Sequence, residues 1–391
     1  MEGDFIKIND WLLPLCWIYG AGVRLRNQMF EMGMLKSRSF DIPVISVGNI
    51  TVGGSGKTPH VEYLINLLRD KVKVAVLSRG YKRKSKGYML ATADTPMSDI
   101  GDEPYQMKKK FADIYVAVDK DRCHGIDQLT TNEETSDTDV ILLDDAYQHR
   151  YVKPGVNILL VDYHRLIMYD KLLPAGRLRE PQKGKARADI VIVSKCPAEL
   201  KPMEFRVITK AMNLFPYQKL YFTTLKYGSL RPIYGGEDRK LDTLTGDTSI
   251  LLLTGIASPQ QMIVDLKPYT ERITPLTFPD HHQYTDADID RINAEFEAMK
   301  GNDKMIVTTE KDNARLCGME GLSDEVKKNI YVLPVEVGFM LDQEEDFNEN
   351  IIGYVRKNSR NSILAKAKDD NKSDNSDNSG NRTRTISFRN N

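Results

Sequence analysis

The fold of this chain is decided by residues 43–59, PVISVGNITVGGSGKTP. The apolar, β-branched residues Val44, Ile45 and Val47 predict a short buried strand. The strand runs into glycines that end in Gly56-Lys57-Thr58, and the next residues, HVEYLINLL at 60–68, have a helical pattern. A strand, a glycine-rich loop and a helix in this order predict the phosphate-binding loop of a P-loop protein.

The residue types in this loop suit a nucleoside triphosphate. Glycines leave backbone N–H groups free to surround phosphate oxygens, and the helix N-terminus adds partial positive charge. Lys57 can reach the β- and γ-phosphates, and the Thr58 hydroxyl can ligate Mg²⁺. The usual spacing puts a glycine where this chain has Thr51, so a plain glycine-rich turn is the alternative. The strand–helix boundary favours a nucleotide site made of Thr51, Val52, Gly53, Gly54, Ser55, Gly56, Lys57 and Thr58.

Length and composition narrow the class of protein. A chain of 391 residues is longer than one typical domain, so two domains are expected. Lysine plus arginine equals aspartate plus glutamate at 55 each, so no overall charge favours nucleic acid. The four cysteines are scattered without a Cys-x-x-Cys pair, which suits a reducing compartment and argues against a disulfide frame or a zinc site.

The N-terminal region contains an apolar run, WLLPLCWIYGAGV, at residues 11–23. It is too short to span a bilayer, which needs about 20 residues, and the acidic residues before it make it a poor secretory signal. It is therefore either a core helix or a helix in a membrane interface. Both tryptophans of the chain lie here, with Arg24 and Arg26 after them, which favours an amphipathic membrane-interface helix over residues 1–35.

Downstream, apolar strand-like runs alternate with helical patterns, which predicts an α/β fold with a mostly parallel sheet. A P-loop domain is expected over residues 36–225, a two-stranded linker over 226–245 and a smaller α/β domain over 246–357. Residues 358–391 lose apolar periodicity and are expected to be a disordered polar tail. Ligands should bind at the carboxyl ends of the parallel strands.

Paired carboxylates follow one predicted strand, in which Asp144 and Asp145 end the run VILLDD at 140–145. In P-loop proteins an acidic residue at this position holds Mg²⁺ directly or through water. The alternative is an ordinary acidic turn after a strand. The upstream phosphate loop favours a metal site that uses Thr58, Asp144 and Asp145.

Other segments carry polar groups whose function cannot be decided from residue types alone. GDEP at 101–104 opens a helix, where a carboxylate is commonly a cap. FPDHHQY at 278–284 places two histidines in a loop, where they are surface residues or partners of a carboxylate base. The basic segments SRGYKRK at 78–84 and LLPAGRLREP at 172–181 are solvated loops or contacts for an anionic substrate or bilayer.

Taken in order, the blocks resemble the tetraacyldisaccharide 4'-kinase family of lipid A biosynthesis. They are WLLPLCWIYG, VGNITVGGSGKTP, LSRGY, GDEP, LLDDAYQH, LLPAGRLREP, FPDHHQY and TTEKD, and they cover about residues 9 to 355. The phosphate loop of that family has the pattern G-N-x-x-x-G-G-x-G-K-T-P, which accounts for Thr51. The resemblance implies ATP, Mg²⁺ and phosphorylation of the 4'-hydroxyl of a lipid A disaccharide 1-phosphate. We expect a monomer bound peripherally at the cytoplasmic face of the inner membrane, with no nucleic-acid partner.

The resemblance also implies roles for single residues. Asp102 would be the catalytic base and His281 its partner, with Lys57 on the γ-phosphate. Two departures stand out: Ala146 and Tyr147 replace the usual Gly-(Leu/Phe), and Arg177 replaces a common proline. The residues expected to contact the acceptor are Arg79, Tyr81, Arg122, Gln148, His149 and Arg177.

The sequence alone is compatible with two other functions. One is a soluble P-loop kinase or GTPase that acts on a small metabolite, although TEKD at 309–312 has the wrong spacing for the guanine-binding Asn-Lys-x-Asp. The other is a non-catalytic, membrane-associated nucleotide switch. Since the phosphate loop and FPDHHQY fall in different predicted domains, a kinase would have its active site in the cleft between them, closed by a hinge.

Overall fold

The computed structural model describes residues 8–256, 259–316 and 319–359. The strands in these ranges are β1 Val44–Gly48, β2 Val74–Ser78, β3 Met89–Leu90, β4 Tyr115–Val118, β5 Val140–Asp144, β6 Val156–Asp162, β7 Ile190–Ser194, β8 Lys219–Tyr227, β9 Arg231–Pro232, β10 Ser249–Thr254, β11 Ile273–Thr277, β12 Lys304–Thr309, β13 Ile330–Leu333 and β14 Val335–Phe339.

The α-helices in the same ranges are α1 Leu13–Glu31, α2 Lys57–Leu68, α3 Met97–Ile100, α4 Asp102–Lys110, α5 Arg122–Thr131, α6 Pro202–Met212, α7 Gln260–Leu266, α8 Asp286–Ala298, α9 Glu310–Leu316, α10 Asp324–Asn329 and α11 Glu344–Asn358. Short 3₁₀ helices cover Asp10–Leu12, Tyr163–Arg165, Ile167–Tyr169, Gln182–Arg187 and Leu241–Thr243.

The larger sheet confirms the predicted α/β fold. Its nine strands have the order β14-β8-β7-β6-β1-β5-β2-β4-β3, and the two edge strands β3 and β14 are antiparallel to their neighbours. Ile45 and Val47 of β1 pack with α2 on one face, while Val44 packs with α5 on the other. Helices on both faces bury the central strands completely, which explains their continuous apolar runs. The carboxyl ends of β1 and β5 place the phosphate loop and Asp144 side by side.

A smaller sheet of five strands forms the second α/β unit, in the order β11-β10-β12-β13-β9. Its core joins Leu251 and Ile306 of the sheet to Ile289, Ile292 and Phe296 of α8. Helix α8 begins at a capping box between Thr285 and Asp288, which fixes where the FPDHHQY loop ends.

The sequence-based boundaries of the linker and the smaller domain need correction. Residues 226–245 contain the end of β8, the short strand β9 of the smaller sheet and an antiparallel bridge between Leu230 and Arg239. Strand β8 itself pairs antiparallel with the distant β14 inside the larger sheet. After β14, helix α11 buries Phe347, Ile351 and Val355 in the core of the larger domain. Residues 335–358 therefore return to the P-loop domain, because the apolar face of α11 is covered there.

Helix α1 lies against the P-loop domain and leaves several large apolar side chains exposed. The Tyr19 hydroxyl donates to the Arg179 carbonyl at 2.9 Å, and Cys16, Gly20 and Phe30 are its buried residues. Trp11 is 80% exposed, and Trp17 and Ile18 are each 71% exposed. Nowhere in the described chain is a helix long and apolar enough to cross a bilayer.

Two predicted segments fall at the ends of the chain. Residues 1–7 of the predicted N-terminal segment lie outside the described residues, as do 360–391 of the predicted polar tail. Asn358, which the boundaries assigned to that tail, is the last residue of α11.

Candidate active site

Contacts from side chains fix the shape of the phosphate loop. Among the described residues, these contacts use few of the loop's backbone N–H groups. Asn49 is fully buried and donates to the Thr51 and Ser55 hydroxyls at 3.2 and 2.8 Å. The Ser194 hydroxyl donates to the Ser55 carbonyl at 2.9 Å. Gly56, at φ +77°, adopts the left-handed conformation that starts α2, and Gly53 has φ +117°. These two positions need glycine because a side chain is strained there.

Lys57 begins α2 and extends across the loop toward Asp145. Its Nζ lies 3.5 Å from Asp145 Oδ1, and the Arg179 Nη1 lies 3.4 Å from Asp145 Oδ2. Asp145 itself has φ +48°, an uncommon conformation for a residue with a side chain. One carboxylate thus joins two cations, one from the phosphate loop and one from the LLPAGRLREP segment.

Asp144 and Glu103 form the acidic side of the site. Asp144 is 1% exposed, its Oδ2 accepts from the Ser78 hydroxyl at 3.3 Å, and its Oδ1 is buried without a hydrogen-bond partner among the described residues. Burial raises the pKa of Asp144 to about 7, and repulsion from Glu103 and Asp145 adds to the effect.

Glu103 stays ionised because of Lys311, which approaches from the smaller domain. The Glu103 Oε1 lies 2.5 Å from Lys311 Nζ and accepts from the Thr58 hydroxyl at 3.4 Å. Burial alone would raise the pKa of Glu103, but the Lys311 ion pair outweighs it and lowers the pKa to about 2.

These donors fit a hard divalent cation. The Thr58 hydroxyl contacts Glu103, Lys57 contacts Asp145, and Asp144 has an unpartnered oxygen at the end of the neighbouring strand β5. Mg²⁺ prefers oxygen ligands of this kind, and it usually binds through one or two carboxylates and the substrate phosphates. The predicted ligands Thr58, Asp144 and Asp145 therefore stay candidates, and Glu103 is a further one.

The Asp102–His281 pair joins the two domains. Asp102 is the first residue of α4, and His281 lies in the FPDHHQY loop, 179 positions away, yet His281 Nδ1 is 3.1 Å from Asp102 Oδ2. Arg315 of α9 contacts the same oxygen, with Nε at 2.9 Å and Nη2 at 2.7 Å. Burial raises the pKa of Asp102, but the His281 hydrogen bond and the Arg315 charge outweigh it and lower the pKa to about 2. Asp102 is a carboxylate at any working pH.

Three of the predicted acceptor residues lie at the rim of this site. Gln148 Nε2 donates to the Asn49 carbonyl at 2.5 Å, which ties the segment after β5 to the phosphate loop. The Arg177 carbonyl accepts from Val52 N–H at 2.8 Å, so the LLPAGRLREP segment pairs with the loop. The exposed Tyr81 ring lies 5.1 Å from the His281 ring.

The other three lie near one another beside the end of β5. Arg122 is 2% exposed and donates to the carbonyls of Asp119 and Asp144, so it braces the end of β5 from below. Burial lowers the pKa of His149 to about 4, with repulsion from Arg122 next, so its imidazole is neutral. Arg79 lies close enough to add to this repulsion. Ligand atoms of His149, Asp121 and Cys123 lie within 4.8 Å of one another, a spacing that a soft cation could use.

Comparison with known proteins shows which family has this phosphate loop and these interdomain contacts. The family model described as tetraacyldisaccharide-1-P 4'-kinase, LpxK, matches residues 8–356. This chain belongs to that family. The family's reaction is ATP-dependent phosphorylation of a hydroxyl on the lipid A precursor, so the chain is a kinase, and the predicted family and enzyme class are confirmed.

Individual relatives agree with this assignment. A tetraacyldisaccharide 4'-kinase of Phocaeicola vulgatus is 60% identical over 363 residues, which cover 93% of this chain and 99% of the relative. One from Bacteroides fragilis is 54% identical over 377 residues, covering 95% and 100%. Among solved structures, the "apo" form of LpxK from Aquifex aeolicus in complex with ATP is 30% identical, with a TM-score of 0.67, and covers 89% of this chain and 99% of that one.

Sequence reasoning missed part of the kinase's charged network. Glu103, Lys311, Arg315 and Arg179 each contact a predicted site residue, but none was assigned a role. Their signal was present: Lys311 and Arg315 are spaced i, i+4 on a short helix, and Glu103 is the next residue after Asp102. That spacing places both cations on one helix face, but only the packing of α9 against α4 shows which carboxylates they meet.

Proposed function

We propose that the side chains at this interdomain site transfer the γ-phosphate of ATP to the 4'-hydroxyl of a tetraacyldisaccharide 1-phosphate, with Asp102 as general base and Mg²⁺ as cofactor. One observation carries the proposal: the Asp102–His281 contact bridges the two domains beside the phosphate loop. A non-catalytic nucleotide switch has no use for a carboxylate and an imidazole assembled there.

The phosphate loop binds the nucleotide. Backbone N–H groups of residues 53–58 surround the phosphate oxygens, and the N-terminus of α2 contributes its partial positive charge. Lys57 leaves Asp145 for the γ-phosphate, where its ammonium neutralises the charge that develops during transfer. The Asp145 carboxylate keeps Arg179 as its partner, so no buried charge is stranded.

Asp102 activates the acceptor. Its Oδ2 is already occupied by His281 and Arg315, whereas its Oδ1 has no hydrogen bond to any described residue. Oδ1 takes the proton of the 4'-hydroxyl while the hydroxyl oxygen bonds to the γ-phosphorus and the bond to the β,γ-bridging oxygen breaks, which releases ADP. General-base catalysis of this kind contributes roughly 10²–10⁴-fold.

Mg²⁺ would be held by Thr58, Asp144, Asp145 and Glu103, which fit it as described above. Mg²⁺ held there would supply positive charge that offsets part of the charge on the phosphate oxygens. Asp144 must lose its proton to serve as a ligand, because a protonated carboxyl group is a poor one.

The acceptor reaches the site from a lipid surface through α1. Backbone N–H of Asn9 donates to the Ala175 carbonyl at 2.9 Å, and a Cβ added to Gly20 would lie 2.8 Å from the Leu172 side chain. Helix α1 therefore lies directly on the LLPAGRLREP segment, which itself pairs with the phosphate loop. The exposed Trp11, Trp17 and Ile18 enter the headgroup region of the inner membrane at its cytoplasmic face, peripherally and as a monomer.

The test is product analysis with labelled ATP. Vesicles that contain the acylated disaccharide 1-phosphate are incubated with the full chain, Mg²⁺ and γ-labelled ATP, and the lipids are separated by thin-layer chromatography. The wild type should give a labelled lipid. Lys57→Ala should lose about 10²-fold or more in transfer rate, since it removes a preorganised charge from the transition state. Lys219→Ala, which removes a surface lysine paired with Asp346, is the matched control. Label only in inorganic phosphate, or near-normal transfer by Lys57→Ala, would overturn the proposal.

A further inference from the structure

Apart from Lys311, which pairs with Glu103, the TTEKD block at 308–312 has no role in the site described above. The helix that it begins is the main contact of the smaller domain with α4. Three α9 side chains contact α4: Glu310 pairs with Lys110 at 2.8 Å, Lys311 with Glu103 at 2.5 Å and Arg315 with Asp102 at 2.7 Å. The partners follow one another in opposite order along the two helices, so the first α9 residue pairs with the last α4 residue. Such a matched set of charges specifies one register between the domains.

Arg315 differs from the other two because its side chain is 1% exposed and its contacts converge on the base. Nε and Nη2 both contact Asp102 Oδ2, and Nη2 lies 3.4 Å from His281 Nδ1. A single oxygen of Asp102 therefore contacts both partners from the smaller domain, Arg315 and His281. The other oxygen is left for the substrate.

The guanidinium is fixed from behind by groups of the smaller domain. Arg315 Nη1 donates to the Gly255 carbonyl and to Asp312 Oδ1, each at 2.9 Å. Asp312 is fully buried and also accepts from Gly255 N–H, the Thr309 hydroxyl and the Tyr284 hydroxyl. Thr309 and Asp312 of the TTEKD block therefore hold Arg315 in one orientation before it meets Asp102.

We propose that Arg315 is a positioning residue that holds Asp102 Oδ2 and thereby turns Asp102 Oδ1 toward the acceptor hydroxyl. The inference rests on the proposed role of Asp102 as base. Arg315 does not touch the substrate; it acts through the carboxylate and through His281.

The physical reason is that a carboxylate at the first residue of a helix can rotate about its side-chain torsions unless one oxygen is anchored. A planar guanidinium that donates two N–H groups to one oxygen removes that freedom, which a single ammonium cannot do equally well. Since Arg315 and His281 belong to the smaller domain and Asp102 to the larger, the oriented base exists only when the two domains are in contact.

The test uses Arg315→Lys and Arg315→Gln in the full chain. Arg239→Lys and Arg239→Gln serve as matched controls, because Arg239 also makes a two-pronged pair with an aspartate, Asp303, at 2.7 and 2.9 Å, but far from the site. We expect Arg315→Gln to lower kcat about 10²-fold, the loss that follows from a misplaced reacting group. KM for ATP should change by less than about threefold, because the lost contact acts on the chemical step.

The conservative variant separates positioning from folding. Arg315→Lys retains the charge, so it should keep the melting temperature near that of Arg239→Lys, and its kcat should still fall about tenfold because the fork geometry is lost. If Arg315→Gln does not fold, Arg315→Lys carries the test. Wild-type kcat in Arg315→Lys, a loss confined to KM for ATP, or an equal loss in the Arg239 variants would each overturn the positioning role. A wild type that makes no labelled lipid would instead overturn the proposed function.

Discussion

The contact between Asp102 and His281 allows a quantitative prediction about coupling across the domain interface. The two side chains meet at 3.1 Å, although each belongs to a different domain. We propose that they share the task of accepting the proton of the acceptor hydroxyl. Asp102→Ala removes the base itself, and His281→Ala removes the group that orients it and shares the proton. Each single change should therefore disable the same step.

The size of the effect follows from what a general base contributes. A loss of about 10³-fold in kcat for each single variant lies in the middle of the range for general-base catalysis. Independent roles would make the double variant about 10⁶-fold slower, whereas a single functional unit would leave it near 10³-fold. The difference corresponds to a coupling energy of about 4 kcal/mol, because each tenfold step in rate equals about 1.4 kcal/mol.

The assay is single-turnover transfer of label from ATP to the lipid, measured for the wild type, both single variants and the double variant. His282→Ala is the matched control, since the neighbouring imidazole bonds to Asp288 at 2.9 Å and faces the start of α8 instead. ATP affinity, measured separately, should stay within about threefold in all variants, because the phosphate loop is untouched. Strictly additive losses, or an equal loss in His282→Ala, would refute the idea that Asp102 and His281 act together.

Two further predictions concern the metal and the membrane. Because burial raises the pKa of Asp144 to about 7 and Mg²⁺ needs the ionised carboxylate, Mg²⁺ affinity should rise about tenfold from pH 6 to pH 8 and be lost as the pH falls through 7. Calorimetric titration checks this, and Asp144→Asn should bind weakly with no such pH dependence; a flat wild-type profile would contradict the assignment. Replacing both Trp11 and Trp17 by serine should lower partition into anionic vesicles about 10²-fold or more, because each large apolar side chain contributes about 1.5–3 kcal/mol on burial. Vesicle sedimentation measures the partition, and the melting temperature should not change; wild-type partition with a folded variant would disprove the interfacial helix.

Much of the fold and site could be predicted because their signals are local. The run Val44–Val47, the glycines and the Lys57-Thr58 pair are contiguous, so a strand, a loop and a helix N-terminus are specified by neighbours in the chain. Asp144 ends a strand that is buried on both faces, and a parallel sheet brings such strand ends together at one edge. The same reasoning identified the apolar N-terminal helix, since a run of 13 residues with both tryptophans is legible without a partner.

Other features depend on contacts between distant segments. Strand β14 and helix α11 follow the smaller domain in sequence, yet they complete the larger one, because β8 offers a free edge and the large core has room for Phe347 and Ile351. Nothing in the local pattern at 335–358 distinguishes these two destinations.

The residues alone determine which chemistry is available: a phosphate loop, paired carboxylates, an imidazole and an apolar N-terminal helix. The tertiary structure decides which of these groups meet. It brings Arg315 and His281 to one oxygen of Asp102 and Lys311 to Glu103, and it buries Arg122 against the carbonyls of Asp119 and Asp144. The physical reason is that a charge acts over only a few ångströms once it is buried and paired. Its role is therefore set by the neighbour that packing provides, and that neighbour can lie two hundred positions away in the chain.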